Sequence, residues 1–194
     1  NSWHILQKYK ADTRIKLFRQ NKNIGLYPNW NFLLNNATGK YFKILQSDDW
    51  LENNFYAEFK KSIINSSLEP DILIWGYNNY KDNDNDIDST SLPSYEGLRN
   101  SEYDQLSFDL LKNVLKFSQP DFNAFRMLLG KKMGNYFPED ARRSDFLLLS
   151  RIMLSSANPK ICVINKVLVN QRMHNNNDRG KYTSLKNHES NLMW

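Results

Sequence analysis

Apolar positions along the chain alternate between short unbroken runs and stretches with helical spacing. At the start, Trp3, Leu6 and either Ile5 or Tyr9 fall on one side of a helical pattern. Ile15–Phe18 reads as a short strand. Arg19–Leu26 reads as a loop, with Gly25 at its left-handed position. Pro28 suits the first turn of a helix that Asn36 to Gly39 closes. Tyr41–Gln46 is too apolar to face water on one side, which predicts a central strand. Asn53–Asn65 places Phe55, Phe59 and Ile63 at helical spacing, with Tyr56 beside them, and Pro70 then breaks the chain before a strand at Ile72–Tyr80.

Lys81–Gly97 is polar and aperiodic and reads as a long surface loop or hairpin tip. Its Asp82, Asp84, Asp86 and Asp88 alternate as in a calcium loop. The sixth and twelfth positions of that pattern are Ile87 and Pro93, where Gly and Glu are needed, so a solvated loop is the better reading. Asp104–Phe117 is amphipathic through Leu106, Leu110, Leu111, Val114 and Leu115. Phe125–Leu129 reads as a strand, Ser144 as the N-cap of a helix through Ala157, and Ile161–Val169 as the last strand. Asn175 to Trp194 forms a polar tail. Strands alternating with helices place the chain in the α/β class, and its 194 residues fit a single domain.

Composition narrows the picture modestly. No apolar run approaches the ~20 residues needed to cross a membrane, and no secretory signal pattern opens the chain. The single cysteine, Cys162, lies in an apolar run and reads as core. One cysteine excludes an internal disulfide framework and favours a reducing, cytoplasmic compartment. The net charge of +5 is spread over scattered lysines. A basic face of this kind suits nucleoside diphosphates or the anionic inner face of a membrane, leaving peripheral association and self-association open. Without a basic cluster or recognition motif, nucleic acid is not an expected partner.

The chemistry concentrates at Asp48-Asp49. Two adjacent carboxylates just past a buried strand are costly unless something neutralises them. In an open α/β sheet that is also where ligands bind. A divalent metal carrying a phosphorylated ligand satisfies both conditions; an acidic turn leading into the next helix is the plainer alternative.

The surrounding residues resemble a known family. Asn21–Asn31, NKNIGLYPNWN, followed by Ala37–Trp50, ATGKYFKILQSDDW, is similar to the core signature of family 2 glycosyltransferases of the GT-A fold. The matching positions are Asn23, Gly25, Asn31, Ala37, Gly39, Lys40, Tyr41, Asp48 and Asp49. Met133–Met153 resembles the family's acceptor-side segment, and Gln171–His174, QRMH, its terminal Arg-x-His. The resemblance implies a GT-A-like mixed sheet flanked by helices. Because the first strand and the Asp-x-Ser-x-Asp loop of the family are missing ahead of Asn1, it also implies a sheet short of its first strand.

It implies transfer of a sugar from a UDP-, GDP- or dTDP-sugar to a saccharide or lipid-linked glycan, with inversion. Mn²⁺ or Mg²⁺ would be held by Asp49, with Asp48 sharing the site or facing the ribose, and by His174. Arg172 would pair with phosphate, and Arg19, Asn23, Gly25, Asn31 and Lys40 would contribute to donor binding. Asp145 matches the family's general base, with Glu139 and Asp140 as alternatives. Gln46 stands where the family often has Asp, so one conventional acidic contact is absent. A catalytically inactive GT-A-like domain that binds sugar or a partner is the alternative function.

Overall fold

The structure, a computed structural model, describes residues 2–66, 69–81, 86–93, 108–133, 144–155 and 159–173. In chain order its elements are α1 (Ser2–Gln7), α2 (Leu26–Asn36), β1 (Tyr41–Phe42), β2 (Trp50–Leu51), α3 (Phe55–Asn65), β3 (Ile72–Lys81) and β4 (Ile87–Ser91). They continue as α4 (Phe108–Leu115), β5 (Asn123–Arg126), α5 (Met127–Lys132), α6 (Ser144–Leu154) and β6 (Ile161–Met173).

The spine is a parallel pair, β3 and β6, in register from Ile72↔Ile161 to Lys81↔Met173. Residues Ile72, Leu73, Ile74 and Trp75 are each fully buried, as expected of a strand covered on both faces. Two antiparallel strands share one side of β3: β5 along its first residues and β4 along its last, while β2 closes the far side of β6. The resulting order is β1-β5-β3-β6-β2, a mixed sheet. The ladder shifts register at Gly76. A Cβ there would sit 2.6 Å from the Ser91 carbonyl oxygen and 3.1 Å from that of Lys166, so backbone crowding from both neighbours leaves room only for glycine.

Helices cover both faces. Phe55 and Phe59 of α3 pack edge-on against Trp75, and Phe59 also meets Tyr41. Phe42, Lys43 and Ile44 line a recess with Leu148 and Leu149 of α6. Trp75 and Cys162 are core residues, as their sequence context indicates.

Several expected elements differ. Ile15–Phe18 joins no strand; Ile15 and Phe18 are exposed, and Phe18 meets Phe32 of α2 edge-on. The expected central strand Tyr41–Gln46 pairs only at Tyr41 and Phe42 and lies at one end of the sheet order. Its apolarity reflects burial against helices; beyond Phe42 it leaves the ladder, and Gln46 is tied instead to Asp121. The strand expected at Phe125–Leu129 begins earlier, at Asn123, whose amide donates to the carbonyls of Phe117, Ser118 and Gln119. The chain then turns into α5 at Met127, leaving Leu128 exposed.

The polar segment after Tyr80 contains β4, so the hairpin reading holds for Asp86 and Asp88; Asp82 and Asp84 lie outside the described residues. Residues 104–107 of the expected Asp104–Phe117 helix also lie outside them. α6 ends at Leu154, with a turn at Ser155. β6 runs four residues past Val169, and its first two polar residues there, Asn170 and Gln171, are buried. There the Asn170 amide donates to Glu52 and its carbonyl accepts from Asn78.

Candidate active site

The acidic pair sits in a tight turn. Asp49 N–H donates to the Gln46 carbonyl at 3.2 Å, closing Gln46-Ser47-Asp48-Asp49 as a β-turn. Trp50 and Leu51 then pair with Asn170 and Val169, which draws Asp49 against the end of β6. There its Oδ1 accepts the Arg172 main-chain N–H at 3.0 Å. Arg172 stands opposite Tyr80, near the carboxyl ends of the parallel strands, where open α/β sheets bind ligands.

Asp49 is 9% exposed, and its Oδ2 is buried without a hydrogen-bond partner. Burial first, and then the charge of Asp121, push its pKa up to about 7 against the pull of the Arg172 hydrogen bond. Asp48 adds to the rise from its half-buried place in the turn.

Two further charged residues complete the cluster. Lys43 reaches toward α3, where its ammonium lies 5.5 Å from the Phe55 ring centre and 5.6 Å from that of Trp75 and donates to the Ile44 carbonyl. Burial lowers its pKa to about 8, opposed by the charges of Asp121 and Asp49. Asp121 is fully buried, and its two carboxylate oxygens accept the Gln46 main-chain N–H at 2.7 Å and the Gln46 amide at 2.6 Å. Sequence reasoning missed both residues. The available signal was a charge inside an otherwise apolar run: Lys43 within Tyr41–Leu45, and Asp121 between Pro120 and Phe122.

The fold brings Asp48, Asp49 and Arg172 together. The Arg172 guanidinium lies over the Trp50 ring at 5.8 Å, and Trp50 meets Tyr80 at 5.0 Å. Arg19, Asn23, Gly25 and Asn31 belong to the loop and helix preceding β1. Arg19 stacks over Trp3, the Asn23 side chain accepts the Gly25 N–H at 2.9 Å, and Asn31 is half-buried on α2. Gly25 has the expected positive φ of 86°, but its ψ of 170° is extended rather than left-handed helical.

Lys40 is not brought to the turn. It pairs with Glu69 at the opposite end of the sheet, where Arg126 also bridges to Asp71. Asp145 occupies the first turn of α6 and lines the recess shared by Lys43, Ser118 and Pro120. Glu139, Asp140 and His174 lie outside the described residues. Among the described residues, no group of three His, Cys, Asp or Glu side chains converges as metal ligands, and no helix is long and apolar enough to cross a membrane.

The family described as glycosyl transferase family 2 matches residues 1–129. The chain belongs to this family. No curated protein matches it. Among solved structures it is similar to S. aureus TarS 1-349, with a TM-score of 0.63 at 18% identity, covering 88% of this chain and 47% of that one. The same protein in complex with UDP-GlcNAc gives a TM-score of 0.64 at 18% identity, covering 89% and 46%. Its complex with UDP gives 0.61 at 17% identity, covering 90% and 48%. The chain thus spans about half the length of the TarS fragment. The shared fold is GT-A-like, a mixed sheet flanked by helices.

Proposed function

We propose that this family 2 domain transfers a sugar from a nucleotide-sugar donor to a hydroxyl of a saccharide or lipid-linked glycan, with inversion, in polysaccharide or glycan biosynthesis. The observation that carries the reading is the buried, unpartnered Oδ2 of Asp49 beside Asp48 at the carboxyl edge of the parallel strands. Such an oxygen suits a hard cation, and Mg²⁺-type ions commonly take one or two carboxylates and complete their shell with phosphate oxygens and water. The donor set therefore fits Mn²⁺ or Mg²⁺ held by Asp49 and Asp48, with His174 as a further ligand. Bound there, the ion would supply charge neutralisation for the departing diphosphate.

The chain's own residues account for the rest. The Arg172 guanidinium binds phosphate, and the segment carrying Arg19, Asn23, Gly25 and Asn31 borders the nucleotide. Asp145 takes the proton of the acceptor hydroxyl as its oxygen attacks the anomeric carbon from the face opposite the leaving diphosphate. Glu139 and Asp140 are the alternatives for that base. The 194 residues act as a single domain, working in the cytoplasm or at the inner face of the membrane.

Calorimetry with Mn²⁺ and UDP, GDP or dTDP tests the donor site, and release of nucleotide from the matching donor sugars tests transfer. Equal binding by Asp49→Ala would refute the metal role. Binding without turnover in the presence of saccharide acceptors would favour a binding module.

A further inference from the structure

The mechanism assigned above uses Asp48 and Asp49 but gives no role to Asp121, a fully buried carboxylate that touches the same turn. We infer that Asp121 is a positioning residue. It holds the first residue of the acidic turn by two hydrogen bonds and thereby fixes where Asp49 presents its buried, unpartnered Oδ2. The inference deepens the proposed metal and nucleotide site and rests on that reading for its binding arm.

The geometry is specific. Gln46 begins the turn that Asp49 closes, and Asp121 takes hydrogen bonds from both the main-chain N–H and the side-chain amide of Gln46, at 2.7 and 2.6 Å. Bonds to an ionised acceptor are shorter and stronger than neutral ones. Beyond Phe42 the chain has left the sheet, so no ladder fixes Gln46 from its own strand. Asp49 itself is held by the turn bond to Gln46 and by the Arg172 N–H.

Asp121, by contrast, is mounted rigidly. It lies in a 3₁₀ turn, Pro120–Phe122, whose Asp121 carbonyl accepts the Trp75 indole N–H at 3.0 Å. The Phe122 ring stacks on Tyr77 at 3.6 Å, and Asn123 clamps three carbonyls just upstream. The acidic turn is therefore anchored through one residue pair to the most buried part of the core. Outer residues that orient metal ligands typically change metal affinity by ~10–100-fold when removed.

The pair also gives Gln46 a reason of its own. A carboxylate at position 46 would face the Asp121 carboxylate, whereas the neutral amide donates to it. Asp121→Asn keeps both bonds available, since its amide oxygen accepts the Gln46 N–H and its NH₂ donates to a turned Gln46 side chain. Asp121→Ala removes both.

The test combines amide hydrogen exchange at Gln46 and Asp49 in the metal-free chain with calorimetry of Mn²⁺ plus UDP. Asp121→Ala is expected to lose protection at both amides and to weaken binding by ~10–100-fold, while Asp121→Asn keeps the protection and binds within about threefold of wild type. If Asp121→Ala does not fold, Gln46→Ala carries the test, losing the side-chain bond and weakening binding by about tenfold or less. Unchanged exchange in the Ala variants would overturn the inference. So would Asp121→Asn losing as much affinity as Asp121→Ala, which would make its charge the cause rather than its hold on the turn. Failure of the wild-type chain to bind Mn²⁺ and UDP would refute the proposed function instead, and the exchange pattern would still decide whether Asp121 fixes the turn.

Discussion

Replacing Asp49 with Asn should stabilise the metal-free chain strongly at pH 8 and less than half as much at pH 5. The wild-type carboxyl titrates near 7 rather than 3.8 because burial opposes its charge. Between pH ~4 and ~7 the folded chain keeps a proton that the unfolded chain has released, so stability falls as pH rises through that window. At ~1.4 kcal/mol per pH unit, the displacement comes to on the order of 4 kcal/mol once both states are ionised. Asp49→Asn removes that slope while its amide oxygen can still accept the Arg172 N–H. For a chain of this length the gain at pH 8 corresponds to roughly 10 °C in Tm. Denaturant unfolding in EDTA at pH 5 and pH 8, for wild type and variant, measures it. An equal difference at both pH values, or a variant less stable than wild type at pH 8, would refute the reasoning.

Lys43 should give the opposite slope. Its folded pKa of about 8 means the folded chain releases a proton that the unfolded chain keeps up to about 10.5, so stability rises with pH across that range, and Lys43→Met should abolish the rise in the same unfolding curves. Asp145→Asn should lower turnover by roughly 10²–10⁴ with donor binding near wild type, read by steady-state kinetics beside calorimetry. Arg172→Leu should weaken UDP binding by about tenfold or more through loss of a charged partner for phosphate, while the Asp49 to main-chain bond persists. Gly76→Ala should cost about 1–3 kcal/mol of stability, because the added carbon meets two carbonyl oxygens that cannot move independently of the sheet.

Much of the sheet was legible because its signal is local. Ile72–Tyr80 and Ile161–Val169 are largely apolar runs that each follow a proline closely, Pro70 and Pro159, and both became the spine. The helices at Phe55–Asn65 and Ser144–Leu154 follow their spacing. Where the reading failed, burial came from elsewhere in the chain. Tyr41–Gln46 is apolar because α3 and α6 cover it, not because neighbouring strands do. Asn170 and Gln171 lie past the expected end of the strand at Val169, yet both are buried within β6, and Asn170 bonds residues far away in sequence. In the site, the adjacent acids announced themselves through their local cost. Asp121 did not, since its meaning depends on Gln46, seventy-five positions earlier.

The bond between Asp49 and the main chain of Arg172 has a consequence for how this site can change over generations. An acid anchored to a backbone N–H does not care which side chain hangs from that residue, and only proline, lacking the N–H, is barred there. If Arg172 has the proposed donor role, position 172 could therefore change its side chain without the acid losing its seat. Inheritance of the anchor and selection on the side chain are thus uncoupled at one residue.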